Sequence, residues 1–272
     1  MSGSGALAVL TVLALVGSCS GGDDRSLSAA VADGDVAAVT RLLAAGFSPE
    51  GPRTLGLTPL MRAANRDDAA IGELLLRAGA NPDATDFAGV TALHVAARAD
   101  AVQVARLLLA AGADPHRRSA GGMNALDHAA DAGAVGVIDL LADAGVDLDA
   151  QSAVISKGHG HPRDVGSTPL GLAVRAKQTR SVIRLLQRGA AVDSPSASGS
   201  TPLLQAIYHD APVEILLILL DAGADPSVTE RCDAGCSRAV SGRGGLTARE
   251  WAVALGRDEL LPYLPPEDAP VP

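Results

Sequence analysis

Apolar and polar positions follow two regimes along the chain. The first 22 residues carry no charge, and Ala6 to Val16 is an 11-residue run that is apolar apart from Thr11. From Ser26 onward, short apolar stretches alternate with polar turns. Val104, Leu107, Leu108 and Ala111 stand at i, i+3, i+4 and i+7, one stripe of a helix. Gly112 follows, where glycine ends a helix by entering the left-handed conformation that other residues avoid. Ahead of this helix, Thr91-Ala92-Leu93-His94 reads as the start of another, with the Thr91 hydroxyl as its cap. Asp114-Pro115 to Gly122 is turn-forming. The pattern therefore predicts helix, tight turn, helix, then a polar turn.

That block repeats. Thr58-Pro59-Leu60-Met61 recurs at Thr91, at Asn124-Ala125-Leu126-Asp127, at Thr168-Pro169-Leu170-Gly171, at Thr201-Pro202-Leu203-Leu204 and, degraded, at Thr247-Ala248-Arg249-Glu250, in steps of 33, 33, 44, 33 and 46 residues. Each unit ends on a glycine (Gly46, Gly79, Gly112, Gly145, Gly189, Gly223), with a leucine four residues earlier (Leu42, Leu75, Leu108, Leu141, Leu185, Leu219). Five residues after each Thr or Asn stands an alanine: Ala63, Ala96, Ala129, Ala173, Ala206 and Ala252. A larger side chain there would overpack helices that cross closely. Proline beside the capping residue sits where its missing N–H costs nothing.

Period and landmarks together resemble the ankyrin repeat, two antiparallel helices plus a β-turn finger. The resemblance covers residues 26–264, about seven units, and implies an all-α solenoid with a cap unit at each end. One helix pair cannot bury both its faces, so such an array is stable only by stacking. The first unit lacks a finger, and the last has Arg249 where the others have a core leucine. Residues 265–272 read as a tail.

Composition narrows the function. Aromatics are 2% and the net charge is −9, so the chain lacks both the basic footprint and the stacking platforms of a nucleic-acid binder. No phosphate loop, dinucleotide fingerprint, His-Glu-x-x-His helix or nucleophile elbow is present. The reading is a non-catalytic protein, with no cofactor and no metal.

The N-terminal run is too short for a membrane-spanning helix, which needs about 20 residues. It suits a secretory signal, and Val16-Gly17-Ser18-Cys19 resembles the lipobox of bacterial lipoproteins, although Met1 to Gly5 contains no Lys or Arg. That resemblance implies a signal peptide over 1–18, an acylated Cys19, a flexible tether over 19–25, and a protein anchored to a bacterial membrane on its periplasmic or outer side. Two acyl chains would hold it there firmly.

Two intervals are longer than the period allows. Ser152 to Val165 contains 11 extra residues, among them Lys157, His159, His161 and Arg163. The interval from Gly223 to Thr247 holds Cys232 and Cys236, which in an exported protein are expected to form a local disulfide. His159, His161, Cys232 and Cys236 also have zinc-ligand chemistry. Their loops lie two repeats apart, about 16–20 Å at 8–10 Å per packed layer, which opposes a shared site.

The ankyrin resemblance implies a partner protein bound by finger tips and first helices. The matching finger positions are Leu55, Leu57, Phe87, Val90, Arg117, Arg118 and Met123. On the first helices they are Asn65, Arg66, Arg98, Asp131, Arg175, Tyr208 and His209. Phe87, Arg98, Arg118, Met123, Arg175, Tyr208 and His209 are the expected contacts, since aromatic and Arg side chains are favoured anchors. His94 is expected to bond backbone between repeats. The alternatives are an inhibitor of one exported enzyme, or a metal or redox role at the two insertions. A monomer is expected.

Overall fold

The computed structural model describes residues 23–51, 56–152, 166–229 and 245–266. The first helices of successive units are α1 (Asp23–Asp33), α3 (Pro59–Asn65), α5 (Ala92–Ala99), α7 (Ala125–Ala132), α9 (Pro169–Arg175), α11 (Pro202–Tyr208) and α13 (Ala248–Ala254). The second helices are α2 (Val36–Ala44), α4 (Ala69–Arg77), α6 (Val102–Ala110), α8 (Val135–Asp143), α10 (Thr179–Gln187) and α12 (Val213–Asp221). First helices pack in one layer and second helices in another, each touching its neighbours in sequence. The described residues contain no β-strand. The helix α1 begins at Asp23, three residues inside the stretch expected to be a tether.

Local chemistry sets each boundary. Thr58 Oγ1 accepts from Met61 N at 3.2 Å and Asn124 Oδ1 from Asp127 N at 2.9 Å, and Thr168, Thr201 and Thr247 cap in the same way. Pro59, Pro169 and Pro202 each open a helix. All six terminal glycines have positive φ, from 78° at Gly145 to 96° at Gly189. Between paired helices, Asp67, Asp100, Lys177 and Asp210 also take left-handed backbone. Two of these aspartates have a further use. The helices α6 and α8 have no side-chain cap of their own, and Asp67 Oδ1 accepts from Val104 N at 2.9 Å while Asp100 Oδ1 accepts from Val137 N at 3.0 Å. These two units thus cap the second helix of the next.

The core is the repeated column. All six alanines are at most 1% exposed, and Leu75, Leu108, Leu141, Leu185 and Leu219 are fully buried. Leu42 is only partly buried, since no unit covers the outer side of α2. On α6 the buried stripe is Val104, Ala105 and Leu108; Ala111, expected on that stripe, lies past the end of the helix and is exposed. In the last unit a 3-10 helix, Asp258–Tyr263, replaces the second α-helix, with Pro262 inside it. Arg249 closes that end by donating to the carbonyls of Leu261 and Leu264, both at 3.0 Å.

Candidate protein-binding face

Seven residues after each capping Thr or Asn, each first helix from α3 to α11 presents one side chain on the same face: Asn65, Arg98, Asp131, Arg175 and Tyr208. This row has two different ends. At the N-terminal end, Ala32, Leu57, Met61, Arg62, Asn65, Arg66, Val95 and Arg98 line a cavity of about 320 Å³. Its floor is apolar, with Met61 1% and Val95 6% exposed. Arg66 donates from Nη1 to the carbonyl of Ala32 at 2.8 Å, which fixes one wall. Arg62 Nε is buried without a hydrogen-bond partner, and Arg98 is exposed, with no ion pair among the described residues.

Toward the C-terminal end the same row is engaged. Arg175 pairs with Asp131 at 3.6 Å, and the Tyr208 ring meets Trp251 edge-on, with centroids 4.5 Å apart. Arg257 donates to the carbonyls of Ala206, Ile207 and Ala211 and pairs with Asp210 at 3.4 Å, capping the end of α11. His209 is half-buried at that same end.

The fingers place the remaining candidates. Phe87 stands at a finger tip, 90% exposed, with its ring against Gly56 of the preceding finger. A Cβ on Gly56 would lie 2.8 Å from the ring, so glycine permits that approach. Arg118 is turned to its own finger, donating to the Gly122 carbonyl at 2.7 Å. Met123 is partly buried against the core. Adjacent fingers are joined through Ala120 N and the Ala88 carbonyl at 2.7 Å.

The comparisons with known proteins agree with this geometry. The family model described as ankyrin repeats (3 copies) matches residues 27–119 and 153–230, more than half of the chain. The chain belongs to the ankyrin repeat family. A solved structure, the ankyrin repeat domain of Bcl-3, described as a unique member of the IkappaB protein family, is 28% identical with a TM-score of 0.66; the match covers 85% of this chain and 97% of that one. No curated protein matches.

An ankyrin hallmark is visible at His94. Its Nδ1 faces Thr91 N at 3.1 Å and Thr91 Oγ1 at 2.8 Å, which assigns the proton to Nε2; that nitrogen donates to the Met123 carbonyl of the next unit at 3.2 Å. In the next repeat Asp127 takes this position, accepting from Asn124 N at 2.9 Å. Asp127 is fully buried, its Oδ1 has no hydrogen-bond partner, and Arg118 is 4.0 Å from Oδ2. Burial pushes its carboxyl up to about 7. His128 meets His94 edge-on at 5.3 Å, and burial with that neighbour pushes it down to about 4. The contact of His94 with the half-buried His128 was not legible, because it joins neighbouring repeats.

The long interval after α8 departs from the ankyrin finger at a definite point. In regular fingers a backbone N–H bonds the carbonyl four residues on: Asp86 to Val90, Ser119 to Met123, Ser196 to Ser200. Here Ser152 N bonds the Ser167 carbonyl at 2.9 Å, 15 residues on, so the 11 added residues fall in the sequence between these two bonded positions. Residues 153–165, with Lys157, His159, His161 and Arg163, lie outside the described residues. So do Cys19, Leu55, Cys232 and Cys236. Among the described residues no group of His, Cys, Asp and Glu could hold a metal, and no helix is long and apolar enough to cross a membrane.

Proposed function

We propose that this chain is a non-catalytic scaffold, lipid-anchored through Cys19 to a bacterial membrane, that binds a folded partner protein with its first-helix face and finger tips. The observation that carries this reading is the row Asn65, Arg98, Asp131, Arg175 and Tyr208, one side chain per unit along a face that neither helix layer covers. The core lies between the layers, so changes at the exposed Asn65 and Arg98 leave the stack intact while altering what it touches, whereas Tyr208 also packs against Trp251. Phe87 at 90% exposure extends the face onto the fingers.

Capture of a partner from solubilised membranes by the purified chain, compared with Arg98→Ala and Tyr208→Ala, tests the surface. Both changes are expected to weaken recovery of the same protein; unchanged recovery with both would refute the assignment. Cys19→Ala is expected to move the protein from the membrane to the soluble fraction. Retention on the membrane would point to a different anchor.

A further inference from the structure

Resting on the protein-binding reading above, we infer that the cavity between α1, α3 and α5 is a receptor for a carboxylate, taking an acidic segment of a partner protein in which Asp or Glu sits beside an aliphatic side chain. Three observations converge. Among the described residues no acidic side chain lines the cavity, although the chain as a whole carries −9. Two of its guanidiniums are uncommitted: Arg62 Nε is buried without a partner, and Arg98 has no ion pair among the described residues. Beneath them lie Met61, Val95 and Leu57, an apolar floor that an aliphatic neighbour would cover.

Arginine presents a planar fork that matches a carboxylate, and two such forks above a low-dielectric floor give charge-assisted bonds more strength than at an open surface. A buried Nε without a partner is costly, and a turn of the Arg62 side chain that brings it to an incoming oxygen would satisfy it. At about 320 Å³ the cavity is at the small end of ligand pockets, so it takes one or two side chains and not a domain surface. A doubly charged phosphate fits less well. Arg66 and Arg98 stand at the C-terminal ends of α3 and α5, where the helix dipole adds negative potential. The same row already shows the pairing it would make: Arg175, at the position equivalent to Arg98, holds the carboxylate of Asp131.

The test uses the folded chain and a set of acetylated, fluorescein-labelled nonapeptides. Each carries a central glutamate or aspartate flanked by alanine, valine, leucine, isoleucine or methionine, with glutamine, asparagine and phosphoserine versions as controls. Polarisation at low salt is expected to show acid-plus-aliphatic peptides binding at least tenfold more tightly than their amide counterparts. The double change Arg62→Gln with Arg98→Gln should remove that preference, and Arg98→Lys should restore only part of it in the presence of Arg62. Three results would overturn the inference: no peptide of the set binds, amide and acid bind equally, or phosphoserine binds best. If a captured partner is lost with Tyr208→Ala but kept with the Arg62/Arg98 double change, this inference fails while the protein-binding reading stands. Retention in both removes both.

Discussion

Arg98 and Arg175 hold the same position in their units, yet among the described residues Arg98 has no ion pair while Arg175 is tied to Asp131. The difference lies in what the neighbouring repeats offer. Arg98 stands between Asn65 and Asp131 in the column, but Asp131 pairs with Arg175, and the cavity adds Arg62 and Arg66, so the N-terminal end of the face concentrates positive charge over an apolar floor. Beside Arg175 the column supplies Asp131 and Tyr208, and the C-terminal end is bound up in ion pairs, a ring contact and the cap made by Arg257. A repeat fixes where a side chain stands; the adjoining repeats decide whether it is structural or available.

The largest expected effect separates the ends by stability. Arg257→Ala removes a charged donor from the Ala206 and Ile207 carbonyls of α11 and the Ala211 carbonyl just after it, and should cost about 2–3 kcal/mol in urea unfolding, whereas Arg62→Ala should stay within about 0.5 kcal/mol. Equal losses would erase the distinction.

Asp127, between the two ends, gives a pH-dependent effect. Its carboxyl is raised to about 7 in the fold, so the folded chain binds a proton that the unfolded chain releases, and its contribution to stability falls as pH rises from about 4 to 7. Asp127→Asn should therefore be more stable than wild type at pH 8, with the gap closing below about pH 4. His128 works in the opposite sense, losing stability as pH falls from its ordinary range toward 4, and it is common to both proteins in this comparison. A constant gap across pH would contradict the buried carboxylate.

Smaller still, Asp131→Asn should cost no more than about 0.5 kcal/mol, since the pair is largely exposed. It should nevertheless release Arg175 and raise the affinity of the C-terminal end for acidic peptides. Arg98→Gln should leave thermal unfolding unchanged within about 0.3 kcal/mol while weakening partner capture. A stability loss there would make Arg98 a structural residue.

The repeating columns were legible in the sequence, because stacking forces the same solution on every unit: the alanines, the left-handed glycines and the Thr and Asn caps all stand where the period puts them. Apart from the His94 bond to the Met123 carbonyl, what joins one unit to the next was not. Asp67 and Asp100 cap helices 37 residues away, and Arg188, just past α10, pairs with Asp143 of α8 across 45. Such partners depend on stacking geometry and leave no mark on the spacing within a unit. Arg118 and Met123 show the same limit, one folded onto its own finger and the other packed against the core. The position of the 11-residue addition became definite only through the bond between Ser152 and Ser167.

The most direct test compares the affinity of the captured partner for two double variants of the full chain, measured side by side. Arg62→Gln with Arg98→Gln should weaken binding at least tenfold, while Asp131→Asn with Arg175→Gln should change it less than twofold. The reverse order would show that the C-terminal end, and not Arg62 with Arg98, holds the partner.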